Sequence, residues 1–162
     1  MKKLLVLAVV LLVGACGVKP TGVVSAGPAP TLRNPGNPGR DAEMVLYFVL
    51  DGRAAPVTRP IVSGRGAEAA LSTLLDGPTE AERSDGYVTD LPRRAGSIAL
   101  VPGSPATITV SFPLKPVGAV GVNQLVCTAF AALAAEGQYP VDGTLGVSGP
   151  DVLLPYQACQ AS

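Results

Sequence analysis

Histidine and tryptophan are missing from this chain, and charged residues fill only 15% of its 162 positions. Without histidine the side chain best suited to moving protons near neutral pH is absent. A Ser-His-Asp device is therefore excluded, and most metal sites lose their commonest ligand. No Ser-x-x-Lys motif offers a different nucleophile. Neither sign of charge dominates: Lys and Arg number 12, as do Asp and Glu. That balance gives no electrostatic reason to expect a nucleic acid partner. Cysteine is scarce too, at Cys16, Cys127 and Cys159, whereas glycine (19) and proline (16) are plentiful.

The first fifteen residues read as an address. Lys2 and Lys3 precede an apolar run from Leu4 to Val13, which is followed by Gly14 and Ala15. Ten apolar residues fall short of the about 20 needed to span a bilayer, so 1–15 reads as a cleaved export signal. Leu12-Val13-Gly14-Ala15-Cys16 resembles the lipobox of bacterial lipoproteins, with Val13 where leucine is commoner. The resemblance implies that Cys16 is diacylated, carries fatty acyl groups such as palmitate, and becomes the mature N-terminus. An ordinary secretory cut after Ala15 is the alternative. Two acyl chains give stable anchoring where one does not, which places the mature protein on the outer face of the cell membrane. Loss of Lys2 and Lys3 leaves a slightly acidic chain. Residues 16–41 then read as the lipidated cysteine and a tether, rich in proline and glycine and poor in large apolar side chains. The tether reaches between about 28 Å as a flexible coil and about 75 Å when extended.

Residues 42–162 form the expected domain. Glu43 to Leu50 is a nearly continuous run of strand-forming residues ended by Asp51-Gly52, and reads as a central strand. Pro56 to Val62 is expected to be an edge strand because of Pro60. Ala67, Leu71, Leu74 and Leu75 recur at helical spacing, and Gly77-Pro78 stops that helix. About three turns are unstable alone, so the helix must lie on the strands near 44–50 or 98–112. Residues 97–101 and 106–112 read as a hairpin, the second arm alternating Ile108, Val110 and Phe112 with Thr107, Thr109 and Ser111. A second helix is expected from about Ala119 to Glu136 and a last strand at 144–148. The order suits an α+β fold, a small mixed or antiparallel sheet with two helices packed on one face.

The first strand with Tyr47-Phe48, Leu74-Leu75-Asp76-Gly77-Pro78-Thr79, and Gly86 to Pro92 together resemble the GerMN domain. This sporulation and spore-germination family occurs on envelope lipoproteins of Gram-positive bacteria. Asn123 to Thr128 fits as well, although the family often has an aromatic residue where this chain has Cys127. The likeness covers roughly residues 43–149. It implies an extracytoplasmic α+β domain similar to ring-building modules, with no accepted catalytic residues to carry over.

Once Cys16 is lipidated, Cys127 and Cys159 are an even pair in an exported chain, and are expected to form a disulfide. Closing about 32 residues stabilises by roughly 3–4 kcal/mol in the chain-entropy model. Gly64-Arg65-Gly66-Ala67-Glu68-Ala69 matches G-x-G-x-x-A, a phosphate-cradling pattern when it lies between a strand and a helix. Pro60 in the preceding strand favours a tight turn instead. Glu80, Glu82, Asp85 and Asp90 offer oxygen ligands for a hard cation or a carboxylate pair for glycoside hydrolysis. Their spacing does not match an EF-hand loop, nothing positions them across a cleft, and a solvated loop is the default. Arg93-Arg94 reads as two solvated charges, with an anion on a partner as the alternative.

The expected function is a membrane-anchored envelope lipoprotein whose domain binds proteins without catalysis or cofactor, a second copy of itself being one candidate. A module for peptidoglycan or a small envelope ligand is the alternative, and a wall hydrolase using the acidic segment is third.

Overall fold

In a computed structural model, residues 42–62, 64–93 and 96–161 are described. The leader, Cys16, the tether and Arg94 lie outside them. The fold is α+β. Strand β1 (Glu43–Leu50) turns directly into β2 (Arg53–Pro60). Helix α1 (Gly66–Leu75) and the one-turn α2 (Glu80–Ser84) follow. Next come β3 (Ile98–Val101), β4 (Thr107–Val110), the long α3 (Gly118–Ala135), β5 (Leu145–Ser148) and β6 (Leu153–Gln157).

The strands form two sheets rather than one. β1 and β2 are an antiparallel pair, while the second sheet runs β3-β4-β5-β6, with β4 and β5 parallel and its other pairs antiparallel. α3 is the connection that a parallel β4–β5 pair requires. It packs on β1, β2 and β5, with α1 beside it touching β1 and β3. One apolar core results, joining Leu46 and Phe48 of β1, Leu71 and Leu74 of α1, Leu125 of α3 and Leu145 of β5. All six are fully shielded from solvent. α3 has no charged residue in 18 positions, as suits a helix covered on most sides.

Two expected segments moved. β2 begins at Arg53, three residues before the expected start, because Asp51 (φ 51) and Gly52 (φ 76) form a two-residue turn with both residues left-handed. That is the turn whose twist matches a hairpin. The segment from Thr79, expected as loop, holds α2. Thr79 Oγ1 accepts from the Glu82 backbone N–H while a Glu82 carboxylate oxygen accepts from the Thr79 N–H, a reciprocal cap that satisfies two otherwise unpaired donors.

The division into two sheets has a local cause. β1 and β2 meet through a two-residue loop, so Leu50 pairs with Arg53 through hydrogen bonds and alternate residues thereafter turn their backbone groups away from β2. Val49 and Tyr47 are two of those. Val49 exchanges both its backbone bonds with Val88 at 2.8 Å. Tyr47 meets no strand at all. Its N–H donates to Thr128 Oγ1 at 2.9 Å, and its carbonyl accepts from Gln124 Nε2 at 3.1 Å. The far end of the same Gln124 amide accepts from the Asp90 N–H at 2.9 Å. Gln124 and Thr128, one turn apart on α3, are fully buried. Two helix side chains thus occupy the place where a neighbouring strand would pair.

Candidate interaction surfaces

The segment richest in carboxylates does not form a site. Glu82 faces Arg59 of β2, whose Nε donates to it at 2.8 Å and whose Nη2 makes a second bond to the same carboxylate. The same guanidinium donates to the Gly77 carbonyl at 3.0 Å and lies 5.0 Å over the Phe48 ring. Arg59 is the chief influence holding the Glu82 carboxyl below its ordinary range, against partial burial, with the Thr79 N–H assisting. Glu80, Asp85 and Asp90 are exposed. Among the described residues no group of three or more Cys, Asp or Glu is placed to hold a metal ion. The cleft nearest this segment, about 360 Å³, has Asp90 as its one carboxylate among Leu91, Pro92, Phe112 and Pro116. That is one acid short of the pair a glycosidase uses.

The G-x-G-x-x-A stretch enters α1, and a carboxylate stands where a phosphate would come. A side chain built on Gly66 (φ 87) would place its Cβ 2.7 Å from Glu136 Oε1. The carboxylate at the end of α3 therefore sits against the start of α1, where negative charge favourably meets the helix dipole. A pyrophosphate there would meet a like charge. Arg93 leans over Gly77, whose Cβ would come 3.1 Å from its Nε.

Cys127 and Cys159 are joined in a disulfide, Cα–Cα 4.7 Å. Cys127 lies on the side of α3 that the C-terminal tail crosses, and is 1% exposed beneath it. One turn earlier Asn123 grips the same tail, its Nδ2 donating to the Gln160 carbonyl at 2.6 Å and its Oδ1 accepting from the Gln160 N–H at 2.9 Å. An asparagine amide thus pairs with the tail backbone as a strand residue would. Asp151 fixes the tail's other end by accepting from the Leu114 and Lys115 N–H groups, which hold its carboxyl below the usual range.

The outer face of the four-stranded sheet is of one character. Register places Ile98, Leu100, Ile108, Val110, Val147 and Leu154 on the inner face. Ala99, Val101, Thr107, Thr109, Ser148 and Leu153 take the other. No Asp, Glu, Lys or Arg occurs in any of β3 to β6. Val101 is 49% exposed, Leu153 71% and Tyr156 64%. A sheet face turned to water ordinarily carries charge; this one offers threonine, serine and aliphatic groups. Thr107, Thr109 and Ser111 were the signal for a wet face in the sequence, while its freedom from charge across all four strands appears only once they are paired.

Compared with known proteins, the chain matches no family model, no curated protein and no solved structure.

Proposed function

We propose that this protein is a lipid-anchored, extracytoplasmic interaction module of the bacterial envelope, working through its surface and not through a reaction. The observation that carries the reading is the charge-free outer face of β3–β6 with Val101, Leu153 and Tyr156 exposed on it or beside it. Val101 and Leu153 stand on the two edge strands of a face with no charge between them, and exposed apolar groups on an uncharged face mark a place where another macromolecule docks. The lipobox-like run ending at Cys16 supplies the address, and the tether of 16–41 the freedom to search near the membrane. The GerMN resemblance belongs to the same proposal: a non-catalytic envelope domain on a lipoprotein. The acidic segment supports a hydrolase poorly, since Glu82 is engaged by Arg59 and the other carboxylates stand apart.

The test has two arms in a bacterial host that processes lipoproteins. Mass spectrometry of a membrane extract is expected to find an acylated N-terminal peptide beginning at Cys16, and Cys16→Ser to move the protein to the soluble fraction. Wall turnover is expected to be unchanged by Glu80→Ala with Asp85→Ala. An unmodified Cys16, or a selective loss of turnover in the double variant, overturns the proposal.

A further inference from the structure

The sheet edges of this domain are not treated alike. On β2 the residues whose backbone groups point away from β1 are Ala54, Pro56, Thr58 and Pro60, as the turn at Asp51-Gly52 dictates. Two of these four therefore have no N–H to offer. On β6, Pro155 lacks a donor and its carbonyl is occupied by Gln157 Nε2 at 2.6 Å, beside a break in the ladder to β5. On β1, Tyr47 and Val49 are satisfied by α3 and by Val88. Prolines, bulges and covering elements are the devices by which proteins keep edges from recruiting strands.

β3 has neither a proline nor a bulge, and α1, which packs against it, supplies no hydrogen bond to its backbone among the described residues. The Ser111 N–H bonds the Ser97 carbonyl at 3.0 Å, so with this register 97:111, 99:109 and 101:107 are the bonded pairs across to β4. The N–H and C=O groups of Ile98 and Leu100 point the other way, and among the described residues no backbone hydrogen bond reaches them. The strand reads Ile-Ala-Leu-Val, without charge or proline.

We infer that β3 pairs edge to edge, antiparallel, with β3 of a second copy of this chain, joining two four-stranded sheets into one of eight. The strand is self-complementary about Ala99. A two-fold axis there sets Ile98 opposite the other copy's Leu100 and Leu100 opposite its Ile98, so four backbone bonds form from the four unmet groups on each side. On the core side the facing side chains are isoleucine and leucine. On the outer side two alanines meet at the axis, small enough for the close approach of a non-bonded pair. No like charges oppose one another, and the charge-free outer face becomes continuous across both copies.

An edge of four residues buries far less than the about 1,000 Å² expected of a lasting interface. The dimer is therefore weak in free solution and is filled when copies are concentrated by a common surface. That step rests on the anchoring proposed above; the pairing geometry does not.

The test uses the full chain, both membrane-anchored and as Cys16→Ser at raised concentration, under mild oxidation. Ala99→Cys is expected to give a covalent dimer, because the two substituted positions face each other across the axis. Val101→Cys is not, because its counterpart lies four residues along the partner strand. Ala99→Lys, an outer-face change that leaves the core intact, is expected to abolish the dimer captured by an amine-independent cross-linker without shifting the melting midpoint. Equal cross-linking at 99 and 101, a dimer that survives Ala99→Lys, or a chain that stays monomeric while binding an added strand peptide overturns the inference. A dimer of Cys16→Ser at high concentration, with no acylation of the unaltered chain, would sustain the pairing while removing the anchor. The two proposals thus fail separately.

Discussion

Removing the Thr128 hydroxyl tests the closure of β1 at a single atom. Thr128→Val keeps shape and volume, yet takes away the acceptor that lies 2.9 Å from the Tyr47 N–H. Thr128 is fully buried, so no water reaches the amide to replace it. A buried donor left without a partner costs about 1–3 kcal/mol, and the added methyl returns less than about 1 kcal/mol because apolar burial is worth about 0.8 kcal/mol per carbon. Thr128→Val is therefore expected to destabilise by about 1–2 kcal/mol. Thr128→Ser, which keeps the acceptor and loses one methyl, is expected to cost about 1 kcal/mol. Gln124→Leu removes more, since it strands both the Tyr47 carbonyl and the Asp90 N–H. Its cost is expected at about 2–5 kcal/mol. Urea unfolding with an unchanged slope gives the energies. Amide exchange at Tyr47 reads the local effect, expected to quicken in the valine variant and to stay slow in the serine variant. Equal stability of Thr128→Val and the unaltered chain, with Tyr47 exchange unmoved, would refute the claim that side chains of α3 stand in for a strand.

Other consequences are accessible to the same melts. Arg59 depresses the Glu82 pKa from its ordinary 4.5, so the contribution of the pair is complete above that value and is lost as pH falls through the lower folded value. The melting midpoint is expected to drop below about pH 4.5 more steeply in the unaltered chain than in Glu82→Gln; parallel pH profiles would assign the acid sensitivity elsewhere. Replacing both Cys127 and Cys159 by serine is expected to cost roughly 3–4 kcal/mol and to open the tail beyond Gln157 to proteases, and a loss under about 1 kcal/mol would mean that the unfolded chain is already compact without the cross-link. Gly66→Ala imposes a φ of 87 on an L-residue, at about 1–3 kcal/mol. Adding Glu136→Ala should not restore the loss, since the carboxylate can swing aside; full restoration would place the cost in the contact and not in the backbone.

What the sequence hid, it hid at positions where one residue does two jobs. Helices α1 and α3 and the β3–β4 hairpin stand out because their apolar period reports directly on a buried face, and the disulfide stands out because Cys127 and Cys159 are an even pair in a sequence that reads as exported. Asp51-Gly52 was equally open to reading as the end of a strand or as the turn of a hairpin, and only the strand beyond it decides. Thr79-x-x-Glu82 carried the reciprocal cap in plain view, but α2 has no buried residue and so no apolar period; its capping glutamate is also the partner of Arg59, which made it resemble one more acid in an acidic loop. Gln124 and Thr128 are the deepest case. One turn apart on a largely apolar helix, they look like tolerated polar intrusions. Their purpose is fixed by Tyr47, 77 and 81 residues away, and no local window holds both ends. Those two side chains close β1 at Tyr47, where a further strand would otherwise pair, so the limit of the two-stranded sheet is written on a helix.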